Sequence, residues 1–170
     1  MKSMSFPVIF LDIDGVLNNP GCYAIASGSR TPPDSKCVEA LNYLTDATQA
    51  NIVMSSSWRI GRAVIELREL LSGWGVTGTV IDRTPNLGSA RGLEIAEWLL
   101  KHEGTVLYPS AFVVLDDDSD AEPFPDHLIQ TNGSIGLTMA DAERAIHVMR
   151  WSKAAIAGRK ESPQVLKGPI

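Results

Sequence analysis

The fold of this chain is decided by one stretch near its start, Val8-Ile9-Phe10-Leu11-Asp12-Ile13-Asp14-Gly15. Residues 8–11 are a continuous apolar run, which is typical of a strand buried on both faces of a sheet. Two aspartates follow the run directly, with one residue between them. Gly15 permits the sharp turn that would bring both carboxylates to one point. The stretch therefore predicts a buried strand that ends in an acidic site.

Two later apolar runs also end in polar residues. A second strand is predicted over residues 51–55, and it continues into the run Ser56-Ser57-Trp58-Arg59. Another buried strand is predicted over residues 111–115, and it continues into Asp116-Asp117-Asp118. Because ligands of parallel α/β sheets bind outside the carboxyl ends of the strands, we expect these polar residues to share one edge with Asp12.

Amphipathic segments separate the strands, and weaker strands are predicted over residues 79–81 and 127–131. One helix is expected after a cap at Asp34 or Ser35, and another after a cap at Ser89. A further helix is expected to begin at a capping box formed by Thr138 and Asp141. Apolar residues recur at helical spacing in four segments: Val38, Leu41, Leu44; Val64, Leu67, Leu70, Leu71; Leu93, Ala96, Leu99, Leu100; and Ala142, Ala145, Ile146, Met149. Strands that alternate with helices indicate the α/β class with a three-layer, doubly wound (Rossmann-like), mainly parallel sheet.

The length and composition suit one globular domain. The chain has 170 residues, of which 44% are hydrophobic and 21% are charged. A chain of this length buries enough apolar surface to fold without disulfides or a structural metal. We predict a single domain over residues 1–157 and a frayed tail over residues 158–170, where the periodic pattern stops.

Charge and cysteine content narrow the class of protein further. The net charge of −5 gives no field that attracts nucleic acid non-specifically, although a local basic groove stays possible. Cys22 and Cys37 are too few for a disulfide framework, and we predict free thiols in a reducing compartment. Residues 8–11 are too short for a signal peptide or a membrane span, so we predict a cytoplasmic protein without a membrane partner. The sequence leaves the oligomeric state open.

Asp12 and Asp14 carry the main chemical hypothesis. Two carboxylates this close repel each other unless a cation or a shared proton relieves them, and Mg²⁺ prefers oxygen ligands. A carboxylate can attack phosphorus to give an aspartyl phosphate, while a second carboxyl group protonates the leaving oxygen and later deprotonates water. A turn with Asp caps would also explain the pattern Asp-x-Asp-Gly. It would not explain the acids and serines at the other strand ends.

These motifs resemble the haloacid dehalogenase-like (HAD) superfamily from Val8 to about Met149. The run VIFLDIDGVLN is similar to motif I, VMSSSWR to motif II and VVLDDD to motif IV, and Arg91 stands where motif III has a cation. The runs SSSWR, RGLEIAEWL and IGLT resemble the small HAD-type phosphatase domains of nucleic-acid (RNA) repair proteins. The resemblance implies a HAD-like core with a minimal cap, because residues 18–33 are only 16 residues long.

The resemblance also implies the roles of the acids. Asp12 would be the nucleophile and a metal ligand. Asp14 would be the general acid/base and would give its backbone carbonyl to the metal. Asp116 and Asp117 would complete a site for the cofactor Mg²⁺.

The resemblance further implies that residues after the second and third strands bind the phosphoryl group. Ser56, in preference to Ser55, would hydrogen-bond the transferring phosphoryl group, and Arg91 would neutralise its charge. Both depart from the commoner Thr and Lys, but a Ser hydroxyl still donates and Arg offers a bidentate fork. Three other arginines could take the place of Arg91: Arg59, Arg62 and Arg83. Four residues are expected to contact the substrate: Ser55, Ser57, Trp58 and Arg59.

These features favour a Mg²⁺-dependent phosphomonoester hydrolase that acts through an aspartyl phosphate on Asp12. A receiver domain would need an acceptor aspartate after the second strand, where the chain has serines. A non-catalytic binding module on a HAD-like fold and a small-metabolite phosphatase remain alternatives. The absence of room for a lid domain favours a bulky phosphorylated partner, with a polynucleotide 3′-phosphate as the first candidate.

Overall fold

The computed structural model of the chain describes residues 6–26 and 31–159, and the side chains of residues 152–159 are not described. Five strands form a sheet in the order β3-β2-β1-β4-β5, and every neighbouring pair is parallel. The strands are β1 Pro7–Leu11, β2 Asn51–Met54, β3 Val80–Arg83, β4 Ala111–Asp116 and β5 Leu128–Gln130. The predicted α/β architecture with a parallel sheet is thereby confirmed.

The helices are α1 Pro20–Ile25, α2 Ser35–Thr48, α3 Val64–Gly73, α4 Arg91–His102 and α5 Met139–Arg159. Asp34 caps α2 by accepting a hydrogen bond from the backbone N–H of Lys36. The capping box predicted before α5 is present, because Thr138 and Asp141 each accept the other's backbone N–H through a side-chain oxygen. The sequence did not predict α1. Of the predicted tail, residues 158–159 continue α5 and residues 160–170 lie outside the described part of the chain.

Strand β1 supplies apolar side chains to both faces of the sheet, as its continuous apolar run predicts. Ile9 and Leu11 belong to the larger core with residues of α2, α3 and α5, whereas Val8 and Phe10 belong to a second core with residues of α4. The sheet therefore lies between two layers of helices. Among the described residues, none of the helices is both long enough and apolar enough to cross a membrane.

Helix α4 differs from its predicted form in two respects. Its buried face is formed by Ile95, Trp98 and Leu99, while Leu93 and Leu100 are 53% and 66% exposed. Trp98 accounts for the difference in the buried face, because its large ring is fully buried against Phe10. The predicted Ser89 cap is wrong as well, because the helix begins at Arg91 and has no side-chain cap from a preceding residue.

The sheet order reverses between β1 and β4, which are neighbours although two strands separate them in sequence. The connections that leave these two strands run in opposite directions, which opens a crevice at their carboxyl ends. Asp12 follows β1, and Asp116 ends β4. The strand order therefore brings the two acidic motifs to one crevice.

Candidate active site

Three acidic side chains meet at this crevice. Carboxylate oxygens of Asp12, Asp116 and Asp117 all lie within 4.8 Å of one another. Gly15 is essential to this approach, because it has a φ of 73° and any Cβ at this position would overlap the Asp117 carboxylate. The convergence of these acids, which the sequence predicted from strand ends alone, is present in the structure.

The negative charge of this cluster is not fully compensated by the surrounding protein. Burial, together with the charge of Asp12, raises the pKa of Asp116 to about 7. Burial also raises the pKa of Asp12 and that of Asp117, even though Arg91 lies beside Asp12. Each raised pKa means that the ionised carboxylate is incompletely compensated. A cluster of oxygen donors with uncompensated charge fits a hard divalent cation such as Mg²⁺.

Arg91 is the cation of this site. Its Nε lies 2.7 Å from an Asp116 carboxylate oxygen, and one terminal nitrogen lies 3.1 Å from an Asp12 carboxylate oxygen. The other terminal nitrogen donates to the Ser55 carbonyl. Of the four candidate arginines, Arg91 is the one that forms ion pairs with these acids, because it opens α4 directly beside the carboxyl end of β4.

The first turn of α4 is fixed by the loop after β4. The backbone N–H of Arg91 donates to the Asp120 carboxylate at 2.9 Å, and that of Gly92 donates to the Asp120 carbonyl at 3.0 Å. A Cβ at Gly92 would overlap the Glu122 carbonyl, so the helix can approach this loop only with glycine there. Asp120 therefore caps the helix that carries Arg91.

The Asp14 carboxylate is not one of the three that converge, and two N–H donors hold it. Its Oδ2 accepts the indole N–H of Trp58 at 2.9 Å, and its Oδ1 accepts the side-chain amide of Asn18 at 2.9 Å. The Tyr23 hydroxyl donates to the Asn18 side-chain oxygen at 3.1 Å. The Asp14 side chain is thus separate from the three carboxylates that could hold a metal, and a metal contact through its backbone carbonyl remains a prediction.

The serines after β2 have different surroundings. The Ser56 hydroxyl hydrogen-bonds the Asp12 carboxylate and accepts the backbone N–H of Trp58 at 3.3 Å, which begins a 3-10 turn over residues 57–59. The Ser55 hydroxyl is buried without a hydrogen-bond partner. Ser57 is exposed at the start of the turn. Of the three, Ser56 is the one whose hydroxyl contacts the candidate nucleophile.

The substrate contact predicted for Arg59 is wrong. Arg59 is only 2% exposed, and its guanidinium forms an ion pair with Glu94 at 2.5 Å. Its remaining N–H groups donate to the backbone carbonyls of four residues, which are Ser55, Ser56, Thr84 and Pro85. A guanidinium with all of its donors occupied inside the protein cannot reach a substrate phosphate.

Two polar residues beside Asp14 were missed by the sequence reasoning. Asn18 is fully buried, and Tyr23 is 46% exposed on α1. Asn18 ends the motif I run, so a buried polar residue at that point was a usable signal. Tyr23 carried no signal, because its place beside Asp14 depends on the path of α1.

The comparisons with known proteins agree with this geometry. A sequence model of a protein family described as the HAD domain in Swiss Army Knife RNA repair proteins matches residues 8–142. The matched range includes the three acids of the cluster, Ser56 and Arg91. No curated protein and no solved structure matches the chain significantly. The resemblance inferred from the motifs is confirmed by the family match.

Proposed function

Because the chain belongs to the family of HAD domains found in Swiss Army Knife RNA repair proteins, we propose that it is a Mg²⁺-dependent phosphomonoester hydrolase. The proposal places the chemistry in one domain over residues 1–157, with Asp12 as the nucleophile. The observation that carries it is the cluster of three carboxylates within 4.8 Å, with Arg91 in contact with two of them.

The metal would be held by the cluster itself. Asp12, Asp116 and Asp117 would supply carboxylate oxygens, and Asp14 would add its backbone carbonyl. When bound, Mg²⁺ would neutralise these carboxylates and the charge of the substrate phosphate.

In the first half of the proposed reaction, a carboxylate oxygen of Asp12 attacks phosphorus. A bond forms between that oxygen and phosphorus while the ester bond to the leaving oxygen breaks, and Asp14 gives its proton to that oxygen. The Arg91 guanidinium and the Ser56 hydroxyl donate hydrogen bonds to the phosphoryl oxygens, where negative charge develops.

In the second half, water attacks the phosphorus of the aspartyl phosphate. Asp14, now a carboxylate, takes a proton from this water as the new bond to phosphorus forms. The bond between phosphorus and the Asp12 oxygen breaks, which releases inorganic phosphate and restores both carboxyl groups.

For the substrate class we propose a phosphorylated nucleic-acid end, with a polynucleotide 3′-phosphate as the first candidate. The description of the family supports this class. Between β1 and α2, the described residues contain α1 as their one helix and no lid domain, which supports a large substrate. The half-exposed Tyr23 and the exposed Arg62 stand near Asp14 and Trp58, where an aromatic ring and a cation suit a nucleotide.

Phosphoenzyme trapping tests the proposed mechanism. Asp12→Asn is expected to abolish both turnover and labelling by a ³²P-phosphorylated substrate, because the nucleophile is lost. Asp14→Asn is expected to allow slow labelling of Asp12 and to slow hydrolysis by roughly 100- to 10,000-fold, since general acid/base help is withdrawn from both steps. Asp126→Asn, a change at an exposed acid, serves as the control. Near-normal turnover by the Asp12→Asn variant would refute the mechanism.

A further inference from the structure

Both oxygens of the Asp14 carboxyl group accept hydrogen bonds, and the two donors come from separate parts of the chain. The indole N–H of Trp58 donates to Oδ2 at 2.9 Å, across a sequence separation of 44 residues. The side-chain amide of Asn18 donates to Oδ1 at 2.9 Å. Because a carboxyl group is planar, donors at both oxygens fix its orientation as well as its position.

The indole of Trp58 is itself held firmly. Its ring packs edge-on against the ring of Trp74, with the centroids 5.5 Å apart. The Arg62 guanidinium lies 5.8 Å from the ring centroid and donates to the Trp58 carbonyl at 2.6 Å. The backbone N–H of Trp58 donates to the Ser56 hydroxyl. These contacts leave the indole N–H aimed at Asp14.

The second donor is also rigid. Asn18 is fully buried, and its side-chain oxygen accepts the backbone N–H of Gly15 at 3.2 Å and the Tyr23 hydroxyl at 3.1 Å. The two donors therefore hold the Asp14 side chain in one rotamer. Without them, a carboxyl group on a loop would sample several rotamers. Proton transfer depends steeply on such placement, since a displacement of about 1 Å can cost about 100-fold in rate.

We propose that Trp58 is a positioning residue for the Asp14 general acid/base, and that it acts through its indole N–H. This inference rests on the proposed phosphatase function. It differs from the substrate contact predicted for Trp58, such as stacking on a base, because positioning serves every substrate whose leaving oxygen needs a proton. A stacking role would serve only substrates that carry a base.

Leaving-group dependence of kcat/KM tests the inference, because this constant reports the step in which the leaving oxygen departs. The three substrates are p-nitrophenyl phosphate, glycerol phosphate and a 3′-phosphorylated oligonucleotide. Trp58→Phe is expected to lower kcat/KM about 10- to 100-fold for the two alkyl esters. It should lower kcat/KM less than about threefold for p-nitrophenyl phosphate, whose leaving group departs without a proton.

Three further variants separate the hydrogen bond from other effects of the substitution. Trp151→Phe makes the same change at a tryptophan that is 67% exposed on α5, so the leaving-group pattern of the wild type should persist. Replacement of Trp58 by 3-benzothienylalanine keeps the ring size and removes only the N–H donor, and it should reproduce the selective loss even if Trp58→Phe folds poorly. In an Asp14→Asn background, Trp58→Phe should cause no additional loss.

The alternatives give different patterns. Equal losses on all three substrates, or a loss confined to the oligonucleotide, would overturn the positioning role and leave the phosphatase assignment intact. A wild-type protein that hydrolyses none of the three substrates would instead overturn the proposed function, and this inference with it.

Discussion

Asp12 and Asp14 lie two residues apart, yet their carboxylates have opposite surroundings. Asp12 is buried beside Asp116, and burial raises its pKa. Asp14 instead accepts hydrogen bonds from the N–H donors of Asn18 and Trp58. The divergence arises because β1 ends at Leu11 and the chain turns through Gly15, so the strand alternation no longer applies. Local geometry thus places one carboxylate in the acidic cluster and the other against N–H donors, as the roles proposed for Asp12 and Asp14 require.

At the same scale, the two buried serines predict a clear contrast. Ser56→Ala is expected to lower kcat about 100-fold, because a hydrogen bond to the phosphoryl group is lost. Ser55→Ala is expected to leave kcat within about threefold and to raise the free energy of unfolding by up to about 1 kcal/mol, since its buried hydroxyl has no partner. Phosphate release and urea denaturation measure both quantities. An equal loss of kcat in the two variants would contradict the assignment of Ser56.

At the scale of secondary-structure elements, Arg59 joins three segments that surround the crevice. Its guanidinium binds carbonyls of the turn after β2 and of the loop after β3, and it pairs with Glu94 on α4. Glu94 also accepts the backbone N–H of Leu87 at 2.9 Å. Since Glu94 lies one turn after Arg91, the pair ties the segment with Ser56 to the helix that carries the site's cation.

Breaking this pair should be costly. Arg59→Met or Glu94→Gln is expected to lower the free energy of unfolding by about 3–5 kcal/mol, because each leaves a buried group without its partner. The double variant Arg59→Met/Glu94→Leu should recover part of that loss. Arg144→Met, at a pair that is 58% exposed on its Arg side, should change stability by less than about 0.5 kcal/mol. Urea denaturation followed by circular dichroism measures these values, and a single-variant loss below about 1 kcal/mol would contradict the expectation.

At the scale of the whole molecule, metal binding should stabilise the fold in a pH-dependent manner. The pKa of Asp116 rises from 3.8 to about 7, so between these values the metal-free folded protein holds a proton that the unfolded chain lacks. The contribution of this group to stability therefore falls as pH rises through that window. Bound Mg²⁺ would replace the proton, so metal binding should become more favourable as pH rises.

The expected result is a rise in Tm of roughly 5–10 °C at saturating Mg²⁺, and this rise should be larger at pH 8 than at pH 6. Thermal unfolding with and without Mg²⁺ at the two pH values measures it. Asp116→Asn should lose most of the rise, whereas Asp126→Asn should keep it. A Mg²⁺ effect that is the same in all three proteins would exclude the proposed metal site.

The proposed nucleic-acid substrate leads to a second prediction for the whole molecule. At fixed salt, kcat/KM should be at least about tenfold higher for a 3′-phosphorylated oligonucleotide than for a mononucleotide or a sugar phosphate, because backbone contacts add binding that small substrates lack. The net charge of −5 predicts that this preference is modest, while cation–phosphate contacts predict that it weakens with salt. A preference for the small substrates would overturn the nucleic-acid proposal without affecting the phosphatase assignment.

The sequence by itself determined the α/β sheet, the ends of its strands and the acids that follow them. Apolar runs and helical spacing are local patterns, so they placed β1, β2, β4 and the start of α5 within a few residues of their observed bounds. The motif spacing likewise placed Asp12, Asp116 and Asp117 at one edge, because parallel strands end together. These features needed no knowledge of which side chains touch.

Only the tertiary structure decided the partners of the charged and polar groups. It paired Arg91 with Asp12 across 79 residues, buried Arg59 against Glu94 and brought the Trp58 indole N–H to Asp14. It also placed Trp98 on the buried face of α4. The physical reason is that such choices depend on strand order and on loop paths, which set distances between residues far apart in the chain. A periodic pattern in the sequence reports which face is buried, but it does not report which donor meets which acceptor.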